Sequence, residues 1–247
     1  MSKTLFNDKD FSGIKTQGIK YAGSKLKIIP YILESINGLE IKTVLDGFSG
    51  STRVSQAFAQ AGYDVVSSDV SHWSEVCAKC FLLHNKDRRF YQKIIDELNS
   101  LKGYDGWFTA NYGGDEEMKI KMPFQKKNTR KLDAIRDRIE ELKFNDIDKS
   151  VILTSLLFAL DAVDSTLGHF VSYLSRWSKR SHNDLFLKLP DLKKTDGNHQ
   201  VIKSDIFKVV ENNYFDLAYF DPPYGSNNEK MPPSRVRYSS YYHIWTS

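Results

Sequence analysis

Along the first third of the chain the spacing of apolar positions changes several times. From Ser24 to Ile36, the residues Leu26, Ile29, Leu33 and Ile36 recur at intervals of three and four. That is the stripe of an amphipathic helix. Pro30 falls in its early part, so a kink or a late start is expected. Thr43-Val44-Leu45-Asp46 is a short apolar run ending in an acid, and it predicts a strand. Gly47-Phe48-Ser49-Gly50-Ser51-Thr52 then predicts a loop. A helix follows from about Ser51 to Ala61, with Gly62 as its C-terminal stop. Tyr63 to Asp69 reads as a second strand, again ending in an acid. Strand, glycine loop, helix, strand and acid make the front half of a doubly wound α/β sheet.

The pattern changes from about residue 85 to residue 195. Gly103 to Asp115 is a loop rich in glycine and aromatic residues. Lys119 to Lys143 carries nine Lys/Arg against four Asp/Glu. Its second half places Leu132, Ile135, Ile139 and Leu142 on one helical face, with Asn128 or Thr129 as the expected cap. Ser150 to Leu167 predicts a more apolar, packed helix. Arg176 to Asn183 is a basic polar loop around Trp177. The α/β pattern resumes at Val201 to Asp205 and again at Tyr214 to Phe220, which stops at Asp221-Pro222-Pro223-Tyr224. The expected organisation is therefore a core of residues 1–85 and 196–247, interrupted by a mainly helical, basic insertion of residues 86–195.

Composition narrows the class. The 247 residues are 40% hydrophobic and 27% charged, with a formal charge of +4. That fits neither a disordered tail nor a membrane protein. The longest apolar stretch, Val151 to Leu160, falls far short of the roughly 18–20 residues of a spanning helix. No apolar export segment follows Met1-Ser2-Lys3-Thr4. Two cysteines exclude a disulfide framework and fit a reducing cytoplasm.

Candidate chemistry begins at the glycine loop. Asp46, Gly47 and Gly50 ahead of a helix N-terminus let a ligand approach backbone N–H groups. Asp69 stands where a second-strand acid accepts hydrogen bonds from a ribose diol. The loop lacks the Gly-Lys-Ser/Thr of a phosphate-binding loop and the third glycine of the dinucleotide fingerprint. It reads either as a plain turn or as part of a nucleoside site.

Asp221-Pro222-Pro223-Tyr224 is more telling. A stiff turn after a strand explains the prolines. It does not explain an acid and a tyrosine flanking them at the carboxyl end of a buried strand, where open α/β sheets bind ligands. A carboxylate and a fixed carbonyl accepting the two N–H bonds of an aromatic amine favour a pyramidal nitrogen with its lone pair directed outward. The Tyr224 ring can stack on the base that carries the amine.

Lys20-Tyr21-Ala22-Gly23-Ser24-Lys25, Leu45 to Gly50, Asp69 and Asp221 to Tyr224, in that order around a long insertion, resemble the Dam-type N6-adenine DNA methyltransferases. The resemblance spans about residues 18–245. Thr52 departs from it where many members have a second glycine, and Asp46-Gly47 replaces a more common acid-proline pair. The resemblance implies a Rossmann-like class I methyltransferase sheet with S-adenosyl-L-methionine as cofactor and duplex DNA with a short recognition site as partner. It implies cofactor contacts from Tyr21, Lys25, Asp46, Gly47, Ser49, Gly50, Asp69, Asp205 and Asp221, with Lys25 suited to the carboxylate and Asp205 to the adenine amine. Asp221, Pro222 and Tyr224 would carry the chemistry. The insertion would recognise the target, with Lys119, Lys121, Lys126, Lys127, Arg130, Lys131, Arg176, Lys179 and Arg180 as candidate DNA contacts.

Other readings stay open at this point. They are a cytosine N4 methyltransferase, a non-catalytic fragment that binds DNA or a partner, and a nucleotide-dependent oxidoreductase whose Pro-Pro turn is structural. Cys77 and Cys80 follow no proline, so a cysteine nucleophile is not expected. His72, Cys77, Cys80 and His84 match no common zinc spacing, and no metal is expected. Only 23 residues follow Tyr224. The resembling sheet needs roughly 50–80 more, so a complementing C-terminal chain is a further expectation.

Overall fold

The computed structural model describes residues 9–20, 23–170, 172–211, 213–223 and 241–246. In chain order its elements are α1 (Ile29–Ser35), β1 (Thr43–Asp46), α2 (Arg53–Gln60), β2 (Asp64–Asp69), α3 (His72–Leu83), α4 (Arg88–Ser100), α5 (Trp107–Tyr112), β3 (Gly113–Gly114), β4 (Phe124–Gln125), α6 (Lys126–Glu141), α7 (Asp146–Val163), β5 (Gln200–Lys203), α8 (Ile206–Glu211) and β6 (Leu217–Tyr219). They fall into two units. One takes the described residues of Met1–Gly18, Gly23–Leu83 and Lys193–Pro222; the other takes those of Ile19–Ala22, His84–Leu192 and Pro223–Ser247.

The first unit is built on a four-stranded parallel sheet in the order β5-β2-β1-β6. Alternation along the strands separates its two apolar faces. Val44 and Val65 pack with Ile29, Leu33, Val54, Phe58, Ala78 and Leu82 of α1, α2 and α3. Leu45 and Val66 pack with Val209 and Ile206 of α8. Pro30 sits in the first turn of α1, which starts later than the apolar stripe, because proline fits only where no helical N–H bond is needed. Asp216 ties the start of β6 to β1. Its carboxylate accepts from Lys42 N at 2.9 Å, Thr43 N at 2.8 Å and Thr43 Oγ1 at 2.9 Å.

Strand order decides where the site lies. The chain builds outward from β1 through β2 to β5, then returns to the other side of β1 with β6. The order switches between β1 and β6, and in open α/β sheets ligands bind beyond the carboxyl ends of the strands at such a switch. Asp46 ends β1, Asp69 ends β2 and Asp221 follows β6, so the fold gathers the three acids at this edge.

The second unit is mainly helical. Asn145 caps α7, accepting from Ile147 N at 3.0 Å and Asp148 N at 2.9 Å, so the helix begins ahead of the predicted Ser150. The expected caps of α6, Asn128 and Thr129, lie inside the helix instead, and Gln125 precedes its first turn. Asn128 is buried and used elsewhere. Its amide donates to Asn183 O at 3.0 Å and its carbonyl accepts Leu185 N at 2.9 Å, which fixes the 183–185 segment. The α5 helix has no cap of its own. Asp133, on α6, takes that role, accepting from Gly106 N at 3.0 Å, Phe108 N at 2.8 Å, Thr109 N at 3.0 Å and Thr109 Oγ1 at 2.6 Å.

Among the described residues no helix is long and apolar enough to cross a membrane.

Candidate active site

The glycine loop is held from behind by its own backbone. Gly47 N donates to Tyr219 O at 3.0 Å and Ser49 N to Ser68 O at 2.9 Å, which stitches the loop to β6 and β2. A Cβ on Gly47 would stand 2.8 Å from Ile206 Cδ1 and from two ring carbons of Phe220. This glycine is therefore required by the residue that immediately precedes Asp221. Gly50 and Thr52 both have positive φ, 47° and 60°. Thr52 thus holds a left-handed backbone that glycine would adopt without strain.

The predicted site residues that the structure describes have definite places. Asp46 is only 1% exposed and accepts from Ser55 Oγ at 2.6 Å. Burial pushes its carboxyl up to about 7; the Ser55 hydroxyl opposes the rise, and the charges of Asp69 and Asp221 add to it. Ser49 is buried, with its hydroxyl against that of Ser74 at 3.0 Å. Asp69 accepts Gly50 N at 2.9 Å on one oxygen, and Ser71 N at 2.9 Å and Ser71 Oγ at 2.7 Å on the other. These bonds fix its orientation at the loop. Asp205 is exposed at the start of α8, its Oδ1 accepting Phe207 N at 2.9 Å. Pro222 is exposed. Tyr21 and Tyr224 lie outside the described residues.

Sequence reasoning missed one relationship, the ion pair between Lys25 Nζ and the Asp221 carboxylate. Lys25 also donates to Gly23 O at 2.9 Å. No local pattern links two residues so far apart in the chain. The donor set suits an amino-acid-tailed, positively charged nucleoside: a carboxylate at the end of β2 for a diol, an ammonium for a carboxylate, and clustered acids for a cation.

Comparisons with known sequences give the family. A family model for D12 class N6 adenine-specific DNA methyltransferases matches residues 21–242. The chain belongs to that family. D12 class enzymes take their methyl group from S-adenosylmethionine, and their sheet is the class I methyltransferase type seen here. The chain is 28% identical over 245 residues to the modification methylase StsI of Streptococcus sanguinis, covering 92% of this chain and 35% of that protein. It is 25% identical over 240 residues to the type II methyltransferase M.NlaIII of Neisseria lactamica, covering 93% and 68%. It is 25% identical over 246 residues to the type II methyltransferase M.FokI of Planomicrobium okeanokoites, covering 92% and 36%. It thus spans about a third of the StsI and M.FokI methylases and about two thirds of M.NlaIII.

In this D12 family member the second unit changes the reading of several basic residues. Lys127 pairs with Asp184 at 2.6 Å and Arg130 pairs with Asp105. Lys131 donates to Asn99 O at 2.7 Å and to Leu101 O at the end of α4. Arg180 pairs with the buried Asp164 at 2.6 Å, and Lys20 with the same carboxylate at 2.9 Å. Lys121 stands 3.9 Å over the Trp177 ring. Among the described residues, the Lys119, Arg176 and Lys179 side chains are exposed with no hydrogen-bond or ion-pair partner. His72 pairs with Glu75 at 2.9 Å, and Cys77 and Cys80 are buried on α3.

Proposed function

We propose that the chain is a site-specific DNA adenine methyltransferase of a restriction-modification system, transferring a methyl group from S-adenosyl-L-methionine to the N6 amine of an adenine flipped out of duplex DNA. The observation that carries this reading is the meeting of Asp46, Asp69 and Asp221 at the switch between β1 and β6, with Lys25 on Asp221. The cofactor supplies an electrophilic methyl on a sulfonium. Asp69 binds the ribose, Asp205 the adenine amine and Lys25 the amino-acid carboxylate. Gly47, Ser49 and Gly50 shape the loop over which the cofactor lies, and Tyr21 adds a ring contact.

The chain's own residues act by positioning. Asp221 accepts one N–H of the target amine and the carbonyl of Pro222 the other, so the nitrogen lone pair points away from the ring. Tyr224 stacks on the flipped base. Residues 86–195 recognise the target, with Lys119, Arg176 and Lys179 on phosphates. We place the enzyme in the cytoplasm, where free thiols persist. A complementing C-terminal chain belongs to the same proposal: β6 is an outer strand of the sheet among the described residues, and Phe220, just after it, is exposed.

The test is direct. Labelled S-adenosylmethionine and mixed-sequence duplex DNA are incubated with the protein, and the DNA is digested to nucleosides. Labelled N6-methyldeoxyadenosine is the expected product. Labelled N4-methyldeoxycytidine, or tight nicotinamide-dinucleotide binding with no transfer, would overturn the reading.

A further inference from the structure

The pair between Lys25 and Asp221 poses a problem for the proposed chemistry. Asp221 has to accept a hydrogen bond from the target amine, yet its carboxylate already holds an ammonium. This is not a loosely solvated surface pair, since the side chain of Lys25 is 14% exposed and that of Asp221 24%. Enclosed pairs resist screening and hold their geometry. The backbone of Lys25 is anchored as well. Its carbonyl accepts Ile28 N at 2.9 Å and Ile29 N at 3.1 Å, ahead of α1. Four methylenes separate that anchor from the ammonium, so the charge can change partner while the main chain stays in place.

Asp46, Asp69 and Asp221 stand close enough for the latter two to raise the carboxyl of Asp46. A ligand with both a carboxylate and a positive charge has two effects here. Its carboxylate competes with Asp221 for Lys25, and its cation offsets the negative charge that Asp221 regains.

Resting on the proposed cofactor reading, we infer that Lys25 is an exchangeable positioning residue: it pairs with Asp221 before the cofactor binds and moves to the cofactor carboxylate afterwards. Asp221 is then released for the target amine, so cofactor binding precedes productive capture of the base. The ion pair is a built-in order of binding rather than a static brace.

The test uses S-adenosylhomocysteine, which keeps the carboxylate but has an uncharged sulfur, and 5′-methylthioadenosine, which lacks the carboxylate. Affinities are measured by calorimetry on the full chain. Removing the competitor with Asp221→Asn is expected to tighten S-adenosylhomocysteine by about fivefold or more. It is expected to leave 5′-methylthioadenosine unchanged. In a Lys25→Met background the gain from Asp221→Asn is expected to disappear. A purely structural pair would give weaker or equal binding when broken. Equal S-adenosylhomocysteine affinity in wild type and Asp221→Asn overturns the exchange, and so does equal tightening of both ligands. Should Lys25→Met not fold, the contrast between the two ligands in Asp221→Asn still decides the matter. Wild-type protein that binds neither ligand overturns the cofactor reading itself, a result distinct from the failure of exchange alone.

Discussion

The hydroxyl of Ser55 donates to the carboxylate of Asp46 at 2.6 Å with both residues buried, so the end of β1 is tied to α2 behind the glycine loop. The same hydroxyl lies 2.9 Å from Ser67 Oγ on β2. One serine thereby joins two strands and a helix under the place where a ligand would rest.

That arrangement makes stability depend on pH in a definite direction. Asp46 titrates near 7 when folded and near its ordinary 3.8 when unfolded. The folded state therefore holds a proton that the unfolded state has lost, and stability falls as pH rises from about 4 to about 7. The span is on the order of a few kcal/mol. Asp46→Asn is expected to flatten this slope and to melt above wild type at pH 8 but not at pH 5. Thermal melts across that range check it.

Gly47→Ala tests the packing of the loop against Phe220. The added methyl would sit 2.8 Å from Ile206 Cδ1 and from the Phe220 ring. Overpacking of this kind costs about 1–3 kcal/mol. Because Phe220 precedes Asp221, methyl transfer is expected to fall along with the melting temperature. Ile206→Val, which removes the Ile206 Cδ1 atom, is expected to recover part of both losses in the double variant.

The cap provided by Asp133 should be a main support of the helical unit. Asp133→Ala strands three backbone donors and the Thr109 hydroxyl. Unpaired buried donors cost about 1–3 kcal/mol each before relaxation. Urea unfolding is expected to show a loss of about 3 kcal/mol or more, with Asp133→Asn intermediate.

Basic residues on the helical unit should separate into two kinds. The triple change of Lys119, Arg176 and Lys179 to Ala is expected to weaken duplex binding and to lower the salt slope by about 0.9 for each phosphate no longer neutralised, with the melting temperature unmoved. Lys131→Ala should do the reverse. Its ammonium holds Asn99 O and Leu101 O, so its removal destabilises α4 while DNA affinity stays near wild type. Titration at several salt concentrations, beside thermal melts, distinguishes the two.

The core of the sheet is readable because Val44-Leu45 and Val65-Val66 are short β-branched or apolar pairs in runs that each end in an acid, Asp46 and Asp69, with a glycine loop and a helix between them. Pro30 marked the late start of α1 for a local steric reason. The caps of α6 were misplaced because Asn128 looks like a cap in isolation, whereas its amide is claimed by a segment 55 positions away. The same distance effect hid the lysines. Lys20 donates its backbone N–H to Asp161 across 141 positions, and no spacing rule reaches that far. What the sequence concealed is long-range pairing of charge; what it displayed is local periodicity and turn chemistry.

The carboxylate of Asp216 reaches Thr43 across 173 positions of chain. Closing so long a loop is entropically slow compared with joining β1 to β2 through α2 alone. During refolding, the glycine loop and Asp69 should therefore be in place while β6 is still undocked. Asp221, the acid we propose for the target amine, is expected to arrive last, carried in behind the strand that Asp216 latches, so a nascent chain completes its glycine loop and Asp69 before it acquires Asp221.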